Sequence, residues 1–273
     1  MILNPVDVLL WTFRRSERDV VRLYEALSPV MTLATGGRML NFGLWEGGIA
    51  DPLDAQENLC RAAGRLAELG GAGTVVDAGS GLGAPADLWA REHGDRIVSV
   101  NTSLRQLLDG AGNSMRACSS ATRLPLAGGC ADRVIALESA QHFRPLGRFA
   151  SESARVLRPG GLLVAAIPVA SGSAGLGMLR YTWSSEHYTA AEVAGALEGA
   201  GLEVVSEEMV GGMVYPPLAA YYMRERPRLR PRILAGYPGY VEGVLHASMA
   251  RMGRAYEEGA IDYLMIKCRA GAG

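Results

Sequence analysis

Thr74-Val75-Val76-Asp77-Ala78-Gly79-Ser80-Gly81-Leu82-Gly83 is the stretch on which the fold reading turns. A short apolar run at 75–78 enters three glycines at alternate positions, and a helical pattern opens at Ala84. In such a strand–turn–helix unit the glycines let the backbone approach a ligand closely. The unpaired N–H groups of the helix start can then face the ligand's polar groups. Glycines also serve turns that bind nothing, so the spacing alone is a weak signal. Asp77, just ahead of the glycines, adds a carboxylate at the strand's end.

Outward from this unit, short apolar runs alternate with helical patterns. Strands are expected at 75–78, 97–100, 134–137 and 162–167, with helices at 84–92 and 149–157 among them. Continuous apolar runs joined through helices predict a parallel sheet buried on both faces. Upstream, Asp51 as N-cap, Pro52 at the first helical position and Asp54 in the first turn open a helix. Leu59, Ala63, Leu66 and Leu69 carry its apolar period, and Gly70-Gly71 is its expected end. Downstream, Thr189-Ala190-Ala191-Glu192 reads as a capping box whose helix closes at Gly201. Strands follow at 202–207 and 261–268. The fifty or so residues between them, rich in Tyr and Arg, are too long for a plain connection and read as an inserted helical cover.

The 273 residues suit one large domain or two small ones at roughly 100–200 residues each. Apolar residues at 49% and charged residues at 20% are enough for a core and too apolar for a disordered chain. Lys and Arg (27) balance Asp and Glu (28) to a formal charge of −1, a poor field for gripping nucleic acid or an anionic membrane surface. No apolar run reaches the ~18–20 residues of a bilayer span. The first seventeen residues, with Asp7 inside their apolar stretch, do not read as a signal peptide. A soluble, cytoplasmic protein is the expectation. Cys60, Cys118, Cys130 and Cys268 show no metal-ligand spacing, so they are expected as buried small residues and no metal is expected.

Three further segments stand in register with the glycine turn. These are Val98-Ser99-Val100-Asn101-Thr102-Ser103-Leu104-Arg105-Gln106, Asp132-Arg133-Val134-Ile135-Ala136-Leu137-Glu138-Ser139-Ala140-Gln141-His142, and Arg155-Val156-Leu157-Arg158-Pro159-Gly160-Gly161-Leu162. Together they resemble the class I S-adenosylmethionine-dependent methyltransferases, and more closely the branch acting on small natural products, sterols and tocopherols. The resemblance covers about residues 40–170. It implies an α/β, Rossmann-like fold with a seven-stranded, mostly parallel sheet and helices on both faces. An N-terminal helical lid (1–50), a donor-binding domain (51–273) and a C-terminal helical insertion (about 209–258) are expected around it.

The same resemblance implies roles for individual residues. Asp77, Gly79, Gly81 and Gly83 would shape the pocket for the methionine part of S-adenosylmethionine, and Leu137 and Glu138, along the methyl-transfer site, would also contact the cofactor. Asn101, with Thr102 and Gln106, stands where relatives often carry an acid for the ribose hydroxyls; an amide both donates and accepts there but lacks a carboxylate's charge. Ser120 occupies the place of the usual aspartate that accepts from the adenine amino group, so backbone groups of Ser120, Ala121 and Thr122 would take over. Phe42 and Trp45 resemble an aromatic lid, where a ring near a sulfonium gains ~0.5–2 kcal/mol, and equally suit simple packing. His142 is the candidate base and an acceptor-site residue, and Glu138 would orient the cofactor or His142, the alternatives being an ordinary surface or core histidine and a solvated helix-capping carboxylate.

Tyr215, Tyr221 and Tyr222 are the expected acceptor-binding aromatics. Arg224, Arg226, Arg228, Arg230 and Arg232 follow through proline-broken sequence, suited to an acidic acceptor group or, more simply, to solvent. The reading that follows is methyl transfer, on oxygen or nitrogen, to a small and largely apolar metabolite of secondary metabolism, yielding S-adenosylhomocysteine. Carbon methylation of an isoprenoid and a methyltransferase-like cyclase stay open beside it. A dinucleotide-dependent oxidoreductase is disfavoured, because the glycines run D-x-G-x-G-x-G rather than G-x-G-x-x-G. The apolar N- and C-terminal additions suit a homodimer.

Overall fold

In the computed structural model, residues 15–110, 112, 114–171, 175–183 and 185–271 are described. The apolar stretch around Asp7 lies outside them. Helix α1 (Glu17–Thr35) and α2 (Pro52–Leu66) precede the sheet. Then come β1 (Thr74–Ala78), α3 (Ala84–His93), β2 (Arg96–Asn101), α4 (Leu104–Asp109), β3 (Met115–Cys118) and β4 (Ala131–Leu137). The chain continues through α5 (Leu146–Val156), β5 (Leu157–Ala170), α6 (Leu179–Thr182), α7 (Ala190–Glu198) and β6 (Leu202–Met209). It closes with α8 (Tyr215–Gly236), α9 (Gly239–Glu257) and β7 (Ile261–Ala270).

Among the described residues, seven strands form one sheet in the order β3-β2-β1-β4-β5-β7-β6. Neighbours are parallel from β3 to β5, and β7 runs antiparallel between β5 and β6. Successive residues of β1 serve opposite faces, as a strand's two-residue period demands. Val75 belongs to the core cluster that holds Leu59 and Ala63 of α2 and Trp89 of α3, while Val76 belongs to the other, with Phe149 of α5 and Leu197 of α7. With both faces covered, the central strands have no solvent side, which is why they read as unbroken apolar runs. The order reverses between β1 and β4, and it is outside the carboxyl ends of strands at such a point that open α/β sheets bind ligands. No helix among the described residues is long and apolar enough to cross a membrane.

Several local expectations shift. Helix α2 stops at Leu66, because Glu68 takes a φ of +56° and turns the chain before Leu69. Helix α7 ends at Glu198, and Gly201, at φ +81°, completes the turn into β6. The insertion is two long helices, and α8 runs unbroken through Pro227 and Pro231. An interior proline costs roughly 3 kcal/mol in a helix. Burial of Tyr222, Leu229 and Ile233, and ion pairs from Arg226 and Arg230 to Glu242 of α9, offset that cost. Of the cysteines, Cys60 and Cys268 are buried, whereas Cys118 and Cys130 are exposed.

Helix α1 carries two stripes. Leu23, Ala26 and Val30 pack against Val241 of α9. Glu17, Val20, Val21 and Tyr24, at i, i+3, i+4 and i+7, line the cavity over the sheet's carboxyl edge.

Candidate active site

A cavity of about 920 Å³, its open mouth included, lies at the ends of β1, β2 and β4. Asp77 closes its floor, 2% exposed, and its Oδ2 has no hydrogen-bond partner among the described residues. The buried Ser80 hydroxyl is unpartnered in the same way. Burial, with the nearby Asp87 carboxylate adding repulsion, pushes the Asp77 carboxyl up to about 7. A buried acid with an unused oxygen is costly unless something fills the site, and a cationic group is the natural complement.

Gly79 turns at φ +79°, and a Cβ there would sit 2.5 Å from Cβ of Ser139. Gly83 turns at φ +78° with nothing within 4 Å of a Cβ. Gly79→Ala is therefore expected to lower unfolding free energy by about 2–4 kcal/mol, strain and overlap together. Gly83→Ala is expected to cost about 1–2 kcal/mol, left-handed strain alone. Urea denaturation of both variants checks the difference.

At the end of β2, Asn101 donates to Gln106 Oε1 (2.9 Å) and to the Gly81 carbonyl (3.3 Å). Gln106 donates in turn to the Ser28 hydroxyl of α1 (3.3 Å). Asn101, Thr102, Gln106, Ala121 and Leu137 all line the cavity together with Asp77, Gly79 and Gly81. Ser120 Oγ donates to Glu17 of α1, shares a 2.7 Å bond with the Thr122 hydroxyl, and accepts from the Thr122 N–H at 3.1 Å.

The end of β4 supplies the other wall. Glu138 has a φ of +48°, a conformation that a non-glycine residue holds only when its surroundings enforce it. Its N–H donates to Ala166 (2.8 Å) and its carbonyl accepts from Gln141 Nε2 (2.7 Å). Its Oε1 accepts from the Phe42 N–H (2.8 Å) and the Tyr263 hydroxyl (2.9 Å). Burial outweighs those two bonds and raises the Glu138 carboxyl to about 8. It is neither a solvated carboxylate nor a helix cap. One turn further on, His142 Nε2 shares a 2.8 Å hydrogen bond with the Tyr24 hydroxyl of α1, their rings edge to face. Burial raises the Tyr24 phenol further above its ordinary value, so it keeps its proton at neutral pH.

Other expected site residues lie elsewhere. Phe42 reaches the site through its backbone N–H, while its ring stacks on Trp183 and meets Tyr215 edge-on. Trp45 is buried against Tyr221 and donates to the Phe42 carbonyl. Neither ring lines the cavity. Tyr215, Tyr221 and Tyr222 are also absent from its lining; their hydroxyls donate to the Asp262 carbonyl, the Ala34 carbonyl and Glu242. Arg224, Arg226, Arg228 and Arg230 pair with Glu225 or Glu242. Residues of α1 that no motif marks, Glu17 and Tyr24 above all, cover the cavity instead. The only sequence signal for them is the second stripe of their helix.

Known proteins resemble this chain in sequence and in fold. Residues 76–165, from β1 into β5, match the family described as "Methyltransferase domain". The chain is 30% identical over 164 residues to erythromycin 3''-O-methyltransferase of Saccharopolyspora erythraea, covering 56% of this chain and 54% of that protein. The matched part spans about half the length of the curated relatives. Among solved structures, the [4+2]-cyclase SpnF superposes with a TM-score of 0.77 at 22% identity, over 94% of this chain and 97% of that one. Geranyl diphosphate C-methyltransferase from Streptomyces coelicolor A3(2), in complex with Mg2+, geranyl diphosphate and S-adenosyl-L-homocysteine, gives 0.74 at 17%, over 93% and 97%. At those identities the two likenesses are of fold. The glycine turn, the end of β1, the whole of β2, β3 and β4 and part of β5 fall within residues 76–165, the part of the chain that matches the methyltransferase domain.

Proposed function

We propose that this chain methylates a hydroxyl group of a small, largely apolar metabolite, with S-adenosylmethionine as donor, in the manner of secondary-metabolite O-methylation. The observation that carries the reading is one cavity joining the unpartnered, buried oxygen of Asp77 to the Tyr24–His142 pair. The donor fits this floor. Asp77 suits its ammonium group, Asn101 and Gln106 suit its ribose hydroxyls, and Leu137 offers an apolar wall. When bound, the donor supplies an electrophilic methyl group on a sulfonium that departs as a neutral thioether, so no leaving group needs a proton.

What this chain must do is align the acceptor, exclude water and take the acceptor's proton. Tyr24 stands with its hydroxyl on His142 Nε2 and its ring on the cavity wall. An acceptor hydroxyl donates to the Tyr24 oxygen while the Tyr24 proton passes to His142. The proton then leaves from the imidazole to solvent. An amine with a free lone pair needs no such relay, and that favours oxygen over nitrogen. Carbon methylation would use the Glu138 carboxylate and its tyrosine neighbours to steady a cation. With its carboxyl raised to about 8, Glu138 is largely neutral at pH 7 and poorly suited to that task.

Incubation with methyl-labelled S-adenosylmethionine and extracts rich in apolar alcohols tests the proposal. Label in an extractable methyl ether is expected. Saturable donor uptake with the label found only on carbon, or on no acceptor, overturns the O-methylation reading. Absence of donor uptake overturns the cofactor assignment as well. Tyr24→Phe is expected to lower kcat by about 10–100-fold while leaving S-adenosylhomocysteine affinity within about 2-fold, because only the relay is cut. Single-turnover kinetics and titration calorimetry separate the two quantities.

A further inference from the structure

The position after β3 where the resemblance calls for a purine-reading aspartate holds Ser120, and Ser120 has nothing left to offer a ligand. Its hydroxyl proton goes to Glu17, and its oxygen is engaged by both the N–H and the hydroxyl of Thr122. A hydroxyl has one donor and two acceptor positions, so this one is saturated. Glu17 is different. A carboxylate has about four lone-pair sites across two oxygens, and the Ser120 bond falls on one oxygen, Oε1.

The cavity's course places Glu17 at its purine end. Asp77 is the penultimate residue of β1, Asn101 closes β2, and Ala121 follows β3, all three lining one cavity with Glu17. Three adjacent strands at ~4.8 Å spacing span about 10 Å between the first and the third. The unpartnered Asp77 and Ser80 oxygens mark the end that takes a ligand's charged group. A ligand anchored there and lying across Asn101 brings its far end to Thr102, Ala121 and Glu17. The second carboxylate of α1 near this end, Glu25, already accepts from the Ser103 hydroxyl at 2.9 Å.

We infer that Glu17, delivered from α1, is the acceptor that reads the exocyclic amino group of the donor's adenine, doing from the covering helix what Ser120 cannot do from the sheet. This rests on the donor assignment above. It makes α1 part of the binding site, so purine recognition and placement of Tyr24 on His142 belong to the same helix.

The test is titration calorimetry with two probes, S-adenosylhomocysteine and S-inosylhomocysteine, which carries a carbonyl in place of the amino group. The wild-type chain is expected to prefer the adenosyl compound by about 10-fold or more, since a carbonyl facing a carboxylate is repelled. Glu17→Ala is expected to weaken the adenosyl compound about 10-fold, leave the inosyl compound unchanged or tighter, and so erase the preference. Glu17→Ala combined with Ser120→Asp is expected to restore it. An unchanged preference in Glu17→Ala overturns the inference while the donor assignment stands. Equal weakening of both probes also overturns it, assigning Glu17 to helix docking alone. A wild-type chain that binds neither probe overturns the donor assignment and this inference together.

Discussion

Asp77→Asn is expected to bind S-adenosylhomocysteine about 100-fold more weakly than the wild-type chain, yet to melt at a higher temperature in its free form at pH 8. The affinity loss follows from removing the charged partner of an ammonium group in a buried site, about 2–3 kcal/mol. The gain in stability comes from the same burial. The folded Asp77 carboxyl titrates at about 7, raised by burial and then by Asp87, whereas in the unfolded chain it titrates near ~3.9. Between those values the folded state holds a proton that the unfolded state has lost. Stability from this group therefore falls as pH rises from about 4 to 7, and above 7 the full penalty applies.

Glu138, raised to about 8, adds the same slope slightly higher in pH. The wild-type free protein is thus expected to lose melting temperature between pH 5 and pH 8. Asp77→Asn flattens the lower part of that slope, and bound S-adenosylhomocysteine gives a larger stabilisation at pH 8 than at pH 5. Differential scanning fluorimetry across this range, with and without ligand, reads all three. A free-protein melting temperature that is flat or rises over pH 5–8 would show that neither carboxyl is strained by burial. Activity and stability conflict at this residue because a site shaped for a cation pays a desolvation cost when the cation is gone.

His142→Ala is expected to lower kcat by about 10²–10⁴-fold, the usual worth of a positioned base, while S-adenosylhomocysteine affinity changes by less than about 3-fold. The ring lines the same cavity as Asp77, on the short 3₁₀ turn after β4, and meets Tyr24. Its removal therefore spares the floor that suits the donor. Added imidazole is expected to restore part of the rate to the alanine variant, because it fits the space the side chain leaves. Retained turnover in His142→Ala would remove it from the reaction and favour an amine acceptor, which needs no base. The Tyr24→Phe variant then serves as a control, since a relay without its terminus has no effect to lose.

Much of this was legible along the chain. Val75 and Val76 announce a doubly covered strand because burial on both faces leaves no polar alternation. Asp77 and the glycine turn announce a ligand floor because the strand end, the turn and the helix start are contiguous. Thr189 and Glu192 form the expected capping box, since a cap is made within one helical turn. Pro227 and Pro231 were misleading, because a local breaking tendency of a few kcal/mol yielded to the packing of α8 on α9.

The amino-acid order by itself determined six of the strands, their alternation with helices and the carboxyl-end position of Asp77, Asn101, Glu138 and His142, all set by interactions within a strand–turn–helix unit, whereas the short, mostly exposed β3 has no apolar run to announce it. Only the tertiary structure decided that α1 closes the site, with Tyr24 meeting His142 from 118 residues away and Glu17 meeting Ser120 from 103. It also sent Tyr215, Tyr221, Tyr222 and the ring of Trp45 into packing rather than into the cavity. Periodicity states which stripe of a helix is apolar, but the partner of each stripe is settled by how distant surfaces fill space together, and no local pattern carries that information.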